Sequence, residues 1–556
     1  MELRHFHGMS PKTPLENLTY NYAELALDVD LSHGTLKPWR APLLLKATSP
    51  FTKRIHQVGC CWFEFASCVS IAEWTVDCKR LYVTGDETYP TVMPIKDNCE
   101  TGCGKLEKLR LGIPAPKDAI QAKAFKFSIP TNASHLPDAE ERESRAYVYT
   151  YVNCLGEEGP PSYPSNHVDT DDGSPVSLTG FSVPPKEYGI EQVNVYRMVT
   201  GMRASNETQQ GPMPHITDYF LVATIPVGQA THIDGGLNVD MLGDPLTTLD
   251  VLEPPEGLRG IIAIPNSRML AGFVGNTLCI TMNNQPWNWP LSQRYNLDDT
   301  IIAIEAYAGR LYVMTDGHPY SIDLGDGVDA RACRAIIRHS TPMPMVTCCS
   351  TDGAITTPVG VFYVSDRGIV LMGAGEPKVI SSPWFATDDW RKLKPQTMRL
   401  GWHDGRLFVT SDDESYIFFM DSEVFGDNSY SRLTKLSIKP THYHTGRNGE
   451  LFILYDHAIH QWNAGLQVMP YTWKGAILDT KRYGYFGAVR LWADGAVSVS
   501  IFAERIPIFN DILLLPNTAV RLPRYGHHLH HQVAFTGTYE VQSFEMAQSR
   551  WELSST

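Results

Sequence analysis

The chain has 556 residues, of which 43% are hydrophobic and 19% charged, and it carries a formal net charge of −14. That length supplies several cores and the hydrophobic content excludes a disordered chain, while the negative charge excludes a protein that grips nucleic acid by neutralising its phosphates. Its 43 glycines and 38 prolines suit many short strands joined by many turns, so an all-β class is expected.

Taken in order, no apolar signal-type run follows Met1 and no stretch approaches the ~18 apolar residues that span a bilayer, so a chain folding in the cytoplasm without a membrane span is expected. Residues 1–54 read as an extended segment whose alternating Leu25 to Leu31 forms a strand, followed by the stiff Leu36 to Pro42. Residues 55–135 hold one four-strand unit (Cys61 to Phe65, Ser70 to Trp74, Arg80 to Val83, Thr91 to Met93) and a connector through Arg110 to Pro116. In 136–250 about seven short strands, from Ala146–Val152 to Thr231–Ile233, predict an inserted immunoglobulin- or fibronectin-like sandwich.

Residues 251–475 repeat. The opening Gly309-Arg-Leu-Tyr-Val returns as Gly360-Val-Phe-Tyr-Val, Gly405-Arg-Leu-Phe-Val and Gly449-Glu-Leu-Phe-Ile, at spacings of 51, 45 and 44 residues, with a weaker copy at Ser267. A period of ~40–50 residues holding several strands marks a β-propeller, whose sheets bury their faces on one another. Lys79-Arg-Leu-Tyr-Val matches the same opening upstream. A discontinuous propeller is therefore expected, with residues 55–97 closing against the late repeats. Residues 476–556, with runs such as Ala488–Trp492 and Gln532–Phe535, predict a separate C-terminal β-domain.

Chemistry-bearing patterns are sparse. There is no nucleophile elbow, phosphate-binding loop or His-Glu-x-x-His, and Gly373 to Lys378 is a glycine turn. Asp169 to Ser174 starts like a calcium loop, but Ser174 and Gly180 stand where that loop needs glycine and glutamate. Cys99 and Cys103 lack a second pair at ligand spacing, and the clusters His442/His444 and His527–His531 have no carboxylate or cysteine partner beside them, so no metal is expected. Eleven cysteines, an odd number, suit reduced thiols, with Cys60–Cys61 and Cys348–Cys349 inside strands. Arg505-Ile-Pro507 and Ser365-Asp-Arg-Gly368 are faint counterparts of sialidase motifs, and they make a propeller glycosidase acting on surface polysaccharide the rival reading. The acidic runs Glu140–Glu143, Asp388–Asp389 and Asp412–Glu414 read as solvated loops.

Seven passages in order resemble the nozzle protein of short-tailed bacteriophages, also called tail tubular protein B: Val29 to Arg40, Arg80 to Gly85, Arg110 to Pro116, Gly156 to Ser162, Val195 to Arg197, Pro286 to Pro290 and Gly537 to Val541. The resemblance implies a non-catalytic structural subunit without cofactor, assembled in the host cytoplasm into the virion tail. It further implies a homohexameric ring at the end of a short tail, an adaptor or gatekeeper ring above it, fibres docked outside, and viral DNA passing through its lumen without sequence-specific binding. A channel that lets a polyanion slide is expected to be negative or neutral inside, with Asp412–Glu414 and Asp169–Asp172 as candidate lining acids.

Overall fold

The computed structural model describes residues 1–74, 79–95, 107–125, 142–171, 174–200, 218–235, 242–323, 339–342, 346–373, 377–420 and 432–554. The protein is all-β; among the described residues the α-helices are Thr387–Lys392 and Arg550–Ser554, and no helix is long and apolar enough to cross a membrane. Cys99 and Cys103, Glu140 and Glu141, Asp172 and part of the Gly373–Lys378 turn fall outside the described residues.

The sheets of the repeats are four-stranded and antiparallel, except that the one starting at Arg399 is part of a ten-stranded sheet. They start at Arg259–Ala263, Ile301–Tyr307, Ala354–Thr357, Arg399–His403 and His442–Thr445, and a further sheet starts at Ser70–Trp74. The repeated glycine sits in the connection between the first two strands at Gly309, Gly405 and Gly449, and opens the second strand at Gly360. At Ala308-Gly309 and Asp404-Gly405 both central residues have positive φ, the requirement of a two-residue type I′ turn. The Leu-aromatic-Val that follows is the second strand, buried on both faces between neighbouring sheets: Leu311, Tyr312 and Val313, or Leu407, Phe408 and Val409. Fully burying one such side chain contributes ~1.5–3 kcal/mol.

The first strands succeed one another in space. Ser70–Trp74 packs on Arg259–Ala263, which packs on Ile301–Tyr307, then Ala354–Thr357, Arg399–His403 and His442–Thr445. His442–Thr445 packs on Arg54–Val58, and the hairpin Arg54–Val58/Cys61–Phe65 shares a core of Val58, Phe65, Leu81, Val83 and Met93 with the sheet that begins at Ser70. Arg54–Val58 thus lies between the sheet that starts at His442 and the one that starts at Ser70, and links the N-terminal and late segments.

Four features depart from the sequence reading. Residues 55–97 split into the two-stranded hairpin and part of a separate sheet, whose fourth strand is Leu109–Arg110. Leu43–Ala47 supplies the last strand of the sheet that starts at His442. Ala23–Leu27 enters a ten-stranded sheet, parallel to Leu433–Lys435 and antiparallel to Tyr471–Gly475. Through it the C-terminal strands Val497–Ala503, Ile506–Leu514 and His528–Gly537 continue the sheet of Arg399–His403 and are not a separate unit. Finally, Cys60 and Cys61 are disulfide-bonded where buried free thiols were expected: Cys60 lies exposed in the hairpin turn after Gly59. Cys348 is a buried free thiol and Cys349 a half-buried one.

Residues 121–234 form a sandwich of a four-stranded sheet (Val168–Asp171, Arg142–Asn153, Ile190–Thr200, Phe220–Pro226) on a three-stranded one (Gln121–Ala124, Val176–Thr179, Thr231–Asp234). Tyr147, Tyr149, Tyr151, Val193, Val195 and Leu178 fill it. Arg197 donates to Asp234 at 2.9 Å and the Tyr147 hydroxyl does so at 2.8 Å, so the buried carboxylate is paired rather than stranded.

Candidate functional site: two junctions and an axial cavity

Four of the seven distinctive passages meet where the ring of sheets joins the sandwich. Arg80, on the second strand of its sheet, reaches Glu157 with Nη1 2.6 Å from Oε1. The Glu157 side chain is buried and that of Arg80 largely so, and Glu157 is clamped further by the Asn153 amide at 2.9 Å. Burial pushes the Glu157 carboxyl up against the opposing pull of Arg80 and Asn153. The Trp287 indole N–H donates to the Glu158 carbonyl at 2.9 Å, and Trp289 packs with Trp74, Tyr82, Leu109 and Leu111 in one core. Gly159 lies against Ile113, where an added Cβ would run into that side chain. Gly159→Ala is accordingly expected to lower stability by ~1–3 kcal/mol in chemical denaturation, because neither the buried isoleucine nor the loop has room to retreat; an unchanged midpoint would show that this junction is loose.

Two further passages meet at a second junction, between the chain ends. Leu36 exchanges backbone hydrogen bonds with Val541 at 2.9 and 3.0 Å, and the Thr35 hydroxyl donates to Glu540 at 2.7 Å. Nearby, Trp39 lies under the Arg406 guanidinium, 5.1 Å from its ring centre. The seventh passage supplies Arg197 inside the sandwich.

The axis of the ring holds a cavity of about 550 Å³ lined from five sheets and the hairpin, by residues that include Arg54, His56, Glu305, Trp402, His442 and His444. His442 and His444 point to one face of their strand because they are two residues apart. They lie where the strand His442–Thr445 packs on Arg54–Val58. The Gln57 N–H donates to His444 Nε2 at 3.2 Å, and the Ile55 N–H and Arg54 Nη1 each approach a nitrogen of His442 at 3.4 Å. Arg54 also pairs with Asp352. Burial lowers both imidazoles: His442 falls well below its ordinary value, and His444 falls to about 3, helped by the neighbouring His56. Burial alone would raise Glu73, but hydrogen bonds from His56 (3.0 Å) and Arg447 (2.7 Å) hold it at about 2.

Glu305, pushed up by burial, accepts from Thr356 at 2.7 Å, and Asp404 is held by Arg406 at 2.7 Å. Among the described residues no group of three His, Cys, Asp or Glu is placed to hold a metal ion. The two sialidase-like passages are turns: Ser365 accepts from the Arg367 N–H and donates to the Gly368 carbonyl, and Arg505 pairs with Glu16. His527 to His531 lead into and lie on the strand His528–Gly537, where His530 binds Glu504 at 2.9 Å. The candidate lining acids Asp412, Asp413 and Glu414 are paired with Arg399, Lys394 and Lys435, so this loop presents little net charge. Asp388 and Asp389 face Arg391 and Lys392 on their own short helix.

No protein-family model and no curated protein matches the chain. Among solved structures it is similar to the extracellular domain of the one-component system BT4673 from B. thetaiotaomicron, with a TM-score of 0.25, 10% identity and coverage of 63% of this chain and 42% of that one. It is also similar to Hsv2 from Kluyvelomyces marxianus, with a TM-score of 0.25, 9% identity and coverage of 56% and 80%. The chain thus spans less than half the length of the first. Likenesses at this level carry no functional argument.

Proposed function

We propose that the chain is a structural subunit of a bacteriophage tail, of the nozzle kind: a homo-oligomeric ring at the end of a short tail, between an adaptor ring and the fibres, through which DNA leaves. The observation that carries this reading is the convergence of the distinctive passages. Six of the seven meet pairwise or more at two junctions, Arg80 with Glu157 and Leu36 with Val541 among them, and the seventh lies in the sandwich core. Residues used to lock domains together, rather than to present reactive groups, suit a part that transmits load. Closure of the ring of sheets by segments hundreds of residues apart supports the propeller assignment in the same way.

The rival reading, a glycosidase acting on surface polysaccharide, needs two carboxyl groups facing a scissile bond. The axial carboxylates are instead engaged by Thr356, Arg406, His56 and Arg447. The purified chain is expected to release no reducing sugar from host polysaccharide. Turnover abolished by Glu305→Gln would replace the structural reading with the enzymatic one. Within an assembled ring the channel wall is expected to be negative or neutral; a continuous basic stripe would point to a protein that holds DNA.

A further inference from the structure

The strand Leu43–Ala47 is the outer edge of its sheet: one side is bonded to Ala458–Gln461 and the other side has no strand partner among the described residues. All five of its residues are exposed, with Leu44 60% accessible. A long aliphatic run on an open edge is a template for another strand, and soluble proteins normally blunt such edges with charge, proline or a covering segment. Among the described residues no segment covers this edge, whose one charge, Lys46, is paired with Glu64, and the apolar surface is extended. The loop 465–468 runs beside Ala41 through two 2.8 Å backbone hydrogen bonds and presents a fully exposed Leu466.

Charge identifies the occupant. From Lys37 to Arg54 the sequence has five basic residues and no acidic one, in a chain whose net charge is −14. Lys46 and Arg54 are neutralised internally by Glu64 and Asp352, whereas Lys37, Arg40 and Lys53 have no ion pair among the described residues. The chain also carries a second edge, Ile506–Leu514, bonded among the described residues to Val497–Ala503 alone. Pro507, with no N–H to offer, blunts its first half. After a bulge at Asn510–Asp511, its second half keeps Leu513 (64% accessible), with Leu515 (58%) just past the strand's end, beside an exposed Asp511 whose carboxylate accepts from Ser498 and Asn510 and has no ion pair among the described residues.

We propose that Leu43–Ala47 docks a second copy of this chain by pairing with the segment Ile512–Leu515 of that copy, with Lys37, Arg40 or Lys53 facing Asp511. The two edges differ, so the contact is head-to-tail, and repeated rotation closes it into a ring or, failing closure, extends it into a filament. The pairing itself stands on the edges and charges above; only its closure into a ring rests on the reading of the chain as a tail subunit.

The test uses the full chain. Leu44→Cys and Leu513→Cys are made singly, mixed under mild oxidation and digested, and linked peptides are read by mass spectrometry, while mass photometry follows association of the wild type and of Leu44→Lys. A link between positions 44 and 513 in the mixture, absent from either variant alone, is expected, together with an at least tenfold weaker association of Leu44→Lys at an unchanged melting temperature. Rings that form with no 44–513 link and are unaffected by Leu44→Lys would overturn the inference and leave the tail-subunit reading standing. A self-link of Leu44→Cys would overturn the head-to-tail arrangement. A wild type that remains monomeric at every concentration would overturn the inference, and its absence from rings in the particle would remove the functional reading as well.

Discussion

Arg80→Ala should lower the stability of the chain by about 3–5 kcal/mol, the cost of leaving one partner of a buried ion pair uncompensated. Glu157 is 2% accessible at its side chain and its carboxyl is already pushed up by burial. Without the guanidinium at 2.6 Å it must protonate or draw water into the junction. Replacing both partners, Arg80→Met with Glu157→Leu, should recover most of the loss, because two apolar side chains of similar size need no pairing. Denaturant unfolding of the two single variants and the double variant measures this cycle. Equal and additive losses of under 1 kcal/mol would mean that the pair is an exposed contact of little worth.

Acid should open the ring at its histidine seam before it unfolds the sandwich. His442 and His444 have folded-state values below the ordinary 6.5, His444 at about 3. Above 6.5 both are neutral whether folded or not, so stability does not depend on them. As the pH falls below 6.5 the unfolded state takes up protons that the seam refuses, and stability falls by up to about 1.4 kcal/mol per pH unit for each proton refused, which for His444 amounts to about 2 kcal/mol by pH 5; His442 acts in the same direction. Once protonated, neither imidazole offers an acceptor to the N–H groups of Ile55 and Gln57. The new cations would face Arg54 and His56 on the hairpin, and Arg399 and His403 on the adjoining strand, with Glu73, Asp352, Glu305 and Asp404 as the opposing acids. Glu73, held at about 2, contributes stability above its ordinary value that is lost only as the pH falls from about 4.5 towards 2. It therefore leaves the window between pH 6.5 and 5 to the histidines. His531, lowered to about 4 by burial in the C-terminal sheet, and His7 and His232, also lowered by burial, lose stability by the same route as the pH falls below 6.5, so the seam must be isolated by substitution. His444→Gln keeps an acceptor for Gln57 and should remove about one proton from the pH dependence of unfolding between 6.5 and 5, read from denaturation at a series of pH values. A slope identical to that of the wild type would mean that His444 takes up its proton as readily in the folded chain as in the unfolded one.

The hairpin-forming repeats were legible because their signal is local: a glycine able to take positive φ, then Leu-aromatic-Val for a strand buried on both faces. The sandwich was legible for the same reason, since Tyr147, Tyr149 and Tyr151 alternate along one strand. What escaped depends on distant pairing. Nothing in Ala23–Leu27 says that it will lie parallel to Leu433–Lys435, or in Leu43–Ala47 that it will complete a sheet begun at His442. The split of residues 55–97 turned on the bend between Phe65 and Ser70, where the apolar pattern continues with no change of period. The spacing of His442 and His444 announced a shared face, but their partners Arg54, Ile55 and Gln57 lie 387 or 388 positions away and contribute mainly backbone N–H groups, which every residue but proline carries. The Arg80–Glu157 pair was hidden in plain text, because an arginine on a strand and a glutamate in a Gly-Glu-Glu-Gly loop each read as surface residues when taken alone.

Cryo-electron microscopy of the particle that contains this chain tests the central claim most directly. The account predicts a ring of several copies at the end of a short tail, with the open edge Leu43–Ala47 inside the subunit contact and a channel wall free of any continuous basic stripe. Single copies displayed on the outside of the particle, with the axial cavity turned towards bound polysaccharide, would contradict it.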